Sequence, residues 1–280
     1  MTTSRYPAGD KPILKAEHLS KRYGDKPILD DLNFSVGAGE LVALIGSSGA
    51  GKTTLFKVIT GLVPPNSGAV TFDGERRLDR LNGRALREAR REMGFIFQQF
   101  NLIKRMTALQ NVLVGRLGHA PTWRVLLRKF ARQDIARAEA ALEQVGLADL
   151  LHQRVDRLSG GQQQRVAIAR AITQECRFIL ADEPVASLDP ESASGVMETL
   201  QEVAHDQGLG VLCSLHQTDL ALNFADRVIG LRAGRIVIDA PVGEVDGKSL
   251  ETIYGQSRQR RSRARPVGRK MLEPAPAISL

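Results

Sequence analysis

Long apolar runs are missing from this 280-residue chain: none approaches the roughly 18 residues of a membrane-spanning helix, which excludes a helical integral membrane protein. The first ten residues, MTTSRYPAGD, lack the apolar centre of a secretory signal, so the chain is expected to stay in the cytoplasm. Cysteine is scarce. Cys176 and Cys213 each sit in or beside an apolar strand-like run, with no His or Cys at ligand spacing. Neither a disulfide framework nor a metal cluster is expected, and both read as buried thiols. A basic face is missing as well, despite a formal net charge of +8. Seven Lys and Arg residues fall between Gly255 and Leu280 against one acid, Glu273, so that segment carries +6 and the rest of the chain +2. Basicity therefore reads as a tail property, not a face of the folded domain, and no nucleic-acid partner is expected. The 42% hydrophobic and 25% charged fractions are those of an ordinary globule, and the length suits one large α/β domain with a subdomain.

What is present centres on GSSGAGKTT, Gly46 to Thr54, between the apolar run Leu41–Ile45 and a helical segment reaching about Gly61. It satisfies G-x-x-x-x-G-K-[ST] in the strand–loop–helix context that pattern needs. Gly46, Gly49 and Gly51 let the backbone turn tightly and bring N–H groups up to phosphate oxygens, with Ser47, Ser48 and Ala50 completing the loop. The helix N-terminus adds unpaired N–H groups and a partial positive charge. Lys52 places an ammonium on the β- and γ-phosphates, the Thr53 hydroxyl can ligate Mg²⁺, and Thr54 packs or caps. A nucleotide is the expected ligand.

Elsewhere the chain reads as follows. Residues 1–10 form a loose end, and Ile13–Leu19 and Leu29–Val36 are strands joined by KRYGDKP, where Tyr23 could stack on adenine or simply pack. Ala69–Phe72 is a strand, Gly83–Glu92 a charged helix, and Gly94–Gln98 a short strand whose terminal Gln98 could ligate Mg²⁺ or orient water, or be a solvated strand end. Asn111–Val114, Trp123–Phe130 and Ile135–Leu151 carry helical spacing and suggest an inserted helical subdomain over about 100–172, with His119 and His152 on its surface. In LSGGQQQRVAIARAI, Ser159 is an N-cap and Gly160–Gly161 allow close backbone approach, either to an anion or as an ordinary turn. Phe178–Ala181 is a strand buried on both faces that ends in Asp182–Glu183. Two carboxylates at the carboxyl end of a central parallel strand sit where ligands bind in open α/β sheets. Asp182 is placed to hold Mg²⁺ and Glu183 to polarise water. A helix follows Ser187-Leu188-Asp189-Pro190, and the strand from Gly210 ends in His216, able to bond a γ-phosphate or to be structural. The last elements are strands Arg227–Leu231 and Arg235–Asp239 and a helix over Ser249–Tyr254. The domain spans 11–256, and 257–280 reads as a basic, disordered tail.

These stretches, in this order, resemble the ATP-binding cassette of ABC transporters over about residues 13–240. The match covers the phosphate loop Gly46–Thr53, the glutamine loop at Gln98, the signature Leu158, Ser159, Gly160, Gly161 and Gln162, the strand Phe178–Asp182 with Glu183, the D-loop Ser187, Leu188 and Asp189, the switch histidine His216 and the adenine-stacking Tyr23. The resemblance implies a P-loop NTPase fold of the cassette type: a mixed sheet core, an antiparallel β subdomain and an inserted α-helical subdomain. It implies ATP and Mg²⁺ as ligands, with Thr53, Gln98 and Asp182 on the metal and Glu183, His216 and Gln98 in catalysis. Two cassettes would pair head to tail, so that the signature of one covers ATP on the other. A coupling helix from each of two membrane permease subunits would dock between the helical subdomain and the Gln98 region, with a periplasmic solute-binding protein acting indirectly. The chain would then lie peripherally on the cytoplasmic face of the inner membrane.

ALREARREMGFIFQQFNL (85–102), NVLVGRLGHAPTWR (111–124), ADEPVASLDPESA (181–193), SLHQTDLA (214–221) and ADRVIGLRAGRIV (225–237) are similar, more narrowly, to the ATP-binding subunits of bacterial phosphonate importers. Two alternatives stay open. FIFQQFNL also resembles lipoprotein- and peptide-export cassettes, and the basic tail could suit a non-transport ATPase on nucleic acid or ribosomes, although such proteins resemble paired cassettes or carry a long coiled coil.

Overall fold

The computed structural model describes residues 11–119 and 130–254. Two sheets organise it. Strand β1 (Leu14–Tyr23) pairs antiparallel with β2 (Lys26–Val36) and with β4 (Ser67–Phe72), and the short β5 (Arg76–Arg77) completes a four-stranded antiparallel sheet in the order β2-β1-β4-β5. Leu14, Ala16 and Leu19 on β1 and Leu29, Leu32, Phe34 and Val36 on β2 all point into one core, the one-sided burial expected of such a sheet. The hairpin is tighter than the sequence suggests. Tyr23 pairs with Lys26, so most of KRYGDKP belongs to the strands, and the turn is left to Gly24, at φ 57°, and Asp25.

The second sheet is built on β3 (Leu41–Ile45), β6 (Met93–Ile96), β7 (Phe178–Asp182), β8 (Gly210–Leu215), β9 (Arg227–Arg232) and β10 (Arg235–Pro241) in the order β10-β9-β3-β8-β7-β6. All neighbours are parallel except β10 on β9. Every residue of β3 and β8 is buried, which is why these strands read as continuous apolar runs. On one face lie the antiparallel sheet and α1 (Lys52–Ile59), whose Leu55, Phe56, Val58 and Ile59 fill the core with Val42, Leu44, Leu180 and Leu212. On the other lie most of the remaining helices, against Ala43, Ile179, Ala181, Val211 and Cys213. Each fully buried Leu or Ile contributes about 1.5–3 kcal/mol of transfer free energy. Both cysteines are buried free thiols, and burial raises Cys176 to about 12.

The helices on that second face are α3 (Ala108–Leu113), α4 (Arg132–Gln144), α5 (Gly160–Thr173) and α6 (Pro190–Gln207), with α2 (Gly83–Arg91) at the β6 edge. Helix α3 begins in a reciprocal cap between Thr107 and Gln110, and buried Asn111 bonds the preceding loop at the Ile103 N–H, 2.7 Å, and the Ile103 carbonyl, 3.1 Å. Three expectations need correction. The helix read over Ile135–Leu151 stops at Gln144, where Gly146 adopts φ 70°. Strand β6 ends at Ile96, not Gln98. A seven-residue helix, α7 (Thr218–Phe224), was not expected; α8 (Gly247–Tyr254) was, though it starts two residues earlier. The helix read at Trp123–Phe130 lies outside the described residues apart from Phe130, as do residues 1–10 and the basic tail. Among the described residues no helix is long and apolar enough to cross a membrane.

Candidate active site

The parallel register collects the candidate residues on one edge. Ile45 pairs with Leu215, Asp182 with Ser214 and Ile96 with Ala181, so Gly46, His216, Glu183 and the chain leading to Gln98 emerge side by side from β3, β8, β7 and β6. This is the carboxyl edge, where parallel sheets bind ligands.

After β3 the chain turns through Gly46–Gly51 into α1. Gly46 is required by space, because a Cβ there would run into the Leu231 carbonyl oxygen. Gly51, at φ 113°, is required by conformation. Ser47, Ser48 and Gly49 are exposed, Ala50 is buried, Thr53 is exposed and Thr54 half-buried. Lys52 is buried and its Nζ donates to the Gly46 carbonyl at 2.9 Å, so the ammonium is folded back over its own loop. Burial pushes its pKa below the ordinary lysine value, opposed by the charges of Glu183 and Asp182.

The acidic pair is arranged asymmetrically. Burial raises the pKa of Asp182 above the ordinary carboxyl range, countered by the Ser214 hydroxyl, which donates to its Oδ1 at 2.8 Å. Glu183 has a left-handed backbone, φ 50°, and its N–H donates to Ser214 Oγ at 2.9 Å. Its Oε1 lies 2.6 Å from His216 Nε2. Glu183 and His216, with Val185, Ala186, Leu215 and Gln217, line a cavity of about 150 Å³. A carboxylate and an imidazole in contact, beside the phosphate loop, form a unit able to hold and move a proton at a water molecule.

Gln98 is exposed in the turn Phe97–Phe100, two residues beyond β6, because the chain leaves the sheet there: Phe100 and Asn101 take φ 59° and 48°. Tyr23 is 49% exposed, with the Lys21 ammonium 5.3 Å from its ring centroid. Its hairpin reaches α1, for a Cβ on Gly51 would lie 2.9 Å from Leu29 Cδ2. Among the described residues no cluster of three His, Cys, Asp or Glu could hold a metal. Asp182, Thr53 and Gln98 at this edge carry a carboxylate, a hydroxyl and an amide, hard oxygen donors of the kind that suits Mg²⁺.

Ser159 caps α5: its side chain accepts from the Gln162 N–H at 3.3 Å while Gln162 Oε1 accepts from the Ser159 N–H at 2.9 Å. Leu158 is buried. Gly160 and Gly161 permit close approach within the chain itself. A Cβ on Gly160 would lie 2.8 Å from Leu188 Cδ2, and one on Gly161 3.0 Å from Ser192 Cβ. The start of α5 is thus seated on Leu188 and on Ser192 in the first turn of α6. The Asp189 carboxylate caps α6 by accepting the Ser192 N–H at 2.9 Å, which lowers its pKa.

Sequence reasoning missed Ser214, hidden inside an apolar strand, and Arg170. The Arg170 guanidinium donates to the carbonyls of Asn101, 2.7 Å, and Phe100, 3.2 Å, tying α5 to the Gln98 loop. It lines a cavity of about 620 Å³ together with Arg87, Arg90, Arg91, Phe95 and Phe97. The expectation that basicity is confined to the tail is corrected here, since a near-neutral total conceals a local arginine cluster on the folded domain.

The fold and this edge define a P-loop nucleotide-binding protein. Residues 29–186 match the family described as ABC transporter. The chain is 48% identical to the phosphonates import ATP-binding protein PhnC of Nocardia farcinica, covering 89% of this chain and 93% of that protein. It is 46% identical to the hypophosphite import ATP-binding protein HtxD of Stutzerimonas stutzeri, covering 86% of this chain and 70% of that protein. Among solved structures, it is similar to the dimeric ATP-binding cassette MJ0796 in a post-hydrolysis state bound to ADP and Pi, with 32% identity, a TM-score of 0.67 and coverage of 82% of this chain and 98% of that one. This chain belongs to the ABC transporter family, as an ATP-binding, ATP-hydrolysing subunit.

Proposed function

We propose that this protein energises import of phosphonates, or of related small phosphorus oxyanions, through a membrane permease. The observation that carries the substrate class is 46–48% identity, over most of both chains, to import subunits named for phosphonates and hypophosphite. The carboxyl-edge geometry of this chain, with Glu183 against His216 beside the phosphate loop, supports the hydrolytic part.

In this reading the Gly46–Thr54 loop and Lys52 hold the β- and γ-phosphates of ATP while Tyr23 stacks on adenine. Lys52 exchanges its Gly46 carbonyl for phosphate oxygen. Thr53, Gln98 and Asp182 are the residues that would hold Mg²⁺, and when bound the ion would supply neutralising charge for the transferred phosphoryl group. Glu183 takes the proton of the attacking water, and His216, 2.6 Å from that carboxylate, fixes its direction and bonds the γ-phosphate. Gln98 orients the water from the turn that follows β6. Leu158 to Gln162 of a second copy cover the γ-phosphate, with Ser187–Asp189 carrying the signature's position to Glu183. The groove lined by Phe97, Asn101 and Arg170 receives the permease, so the protein works at the cytoplasmic face of the inner membrane.

Phosphate release by the purified protein, with and without Glu183→Gln, tests the hydrolytic assignment. The substitution should abolish turnover and leave ATP binding intact. A variant that hydrolyses ATP at the parent rate would remove Glu183 from the chemistry.

A further inference from the structure

Ser214 is fully buried, yet no role in phosphate binding or water attack falls to it. On β8 it lies between Leu44 of β3 and Asp182 of β7 in the ladder. Its single hydroxyl is engaged twice: the proton goes to Asp182 Oδ1 at 2.8 Å and a lone pair takes the Glu183 N–H at 2.9 Å. Both acidic residues are therefore tied to one atom.

The two bonds answer two separate needs. Asp182 ends a buried strand, and with one oxygen fixed by Ser214 its other oxygen is held in a single direction. Glu183 adopts φ 50°, a left-handed conformation that is strained for a non-glycine residue and persists only when neighbours hold it. Ser214 holds its amide, and His216, two positions along the same strand direction, holds its carboxylate at 2.6 Å. The peptide and the side chain of Glu183 are thus both secured by the β8 segment. Alanine at 214 would release Asp182 and orphan a backbone N–H; threonine would keep the hydroxyl.

We propose that Ser214 is a positioning residue of the ATPase site, aiming the Asp182 carboxylate at the metal and locking the Glu183 backbone so that its carboxylate meets His216. This rests on the roles given to Asp182 and Glu183 above.

The test uses the full chain with two readouts: steady-state hydrolysis, and Mn²⁺ affinity in the presence of a non-hydrolysable ATP analogue, read from the free-Mn²⁺ electron paramagnetic resonance signal. Ser214→Ala should lower kcat about 10- to 100-fold and weaken Mn²⁺ by about 10-fold, the range for partners that orient metal ligands. KM for ATP should stay near the parent value, because Lys52 and the phosphate loop do not depend on Ser214. Ser214→Thr should restore both quantities. If Ser214→Ala does not fold, Ser214→Cys, of similar volume but with a feeble donor, carries the same expectations. Parent-like kcat and Mn²⁺ affinity in the folded Ala or Cys variant would overturn the proposal, as would failure of folded Ser214→Thr to rescue. Asp182→Asn separates the two levels. If it leaves Mn²⁺ affinity unchanged, the metal assignment falls. If it weakens Mn²⁺ binding while Ser214→Ala does not, only the positioning role falls.

Discussion

Gly46→Ala is the sharpest probe of the phosphate loop, because the structure specifies what the added methyl meets. An ideal Cβ at this position would sit inside van der Waals contact of the Leu231 carbonyl oxygen and 3.2 Å from Ala50 Cβ. The first neighbour is backbone of β9 in the central sheet, and the second belongs to the loop itself, so neither can step aside independently. Overpacking of this kind costs about 1–3 kcal/mol. With a shift of about 2–4 °C per kcal/mol for large domains, the melting temperature should fall by about 2–12 °C. The loop can relieve the clash only by moving outward, and a displacement near 1 Å at a positioning element costs on the order of 100-fold in rate. Differential scanning fluorimetry and phosphate release on one preparation give both numbers. An alanine variant that melts with the parent and hydrolyses ATP at the parent rate would refute the close approach.

Other sites give contrasting outcomes. Gly195, inside α6, has open space around its Cβ direction, so Gly195→Ala should stabilise by about 0.5–1 kcal/mol and raise the melting temperature without altering turnover. Arg116, buried, donates to Asp134 Oδ1 at 2.9 Å and to Glu175 Oε2 at 2.7 Å, and the second bond lowers the Glu175 pKa below its usual 4.5. A depressed carboxyl stabilises fully above its unfolded value and loses that contribution as pH falls through the folded value, so the melting temperature should drop on acidification below about 4.5. Arg116→Met should flatten that acid limb. It should also destabilise at neutral pH by less than the roughly 3–5 kcal/mol of a severed buried pair, since Arg137 Nε remains 3.1 Å from Glu175. His216→Ala should lower kcat and, through the lost γ-phosphate bond, raise KM for ATP by a smaller factor, as steady-state kinetics would show.

Residues whose local chemistry is self-contained were legible in the sequence. Gly46–Thr53 needs only its own glycines and lysine, Ser159–Gln162 closes its cap within four residues, and Phe178–Asp182 announces a buried strand by an apolar run broken by acids. Features that depend on what lies across the fold were not legible. The outer half of the β1–β2 hairpin, with Lys21, Arg22 and Lys26, carries no apolar alternation and is held by cross-strand bonds. Gln98 looked like a strand end because its departure from the sheet depends on two left-handed residues further along, Phe100 and Asn101, whose carbonyls are held by Arg170. Ser214 gave only a faint signal, a hydroxyl in a strand otherwise fit for burial, and its meaning depends on the register that sets it beside Asp182.

The central claim, that ATP hydrolysis here drives import of phosphorus oxyanions, is tested most directly by reconstitution with the cognate permease and solute-binding protein in proteoliposomes. Methylphosphonate, phosphite, hypophosphite and phosphate are offered in turn, and ATP hydrolysis is followed by phosphate release, or by chromatographic detection of ADP where phosphate itself is the ligand. The account predicts stimulation by at least one phosphonate or reduced phosphorus oxyanion, abolished by Glu183→Gln. Hydrolysis that is lost in Glu183→Gln but indifferent to every one of these compounds would contradict the import assignment while leaving the ATPase intact.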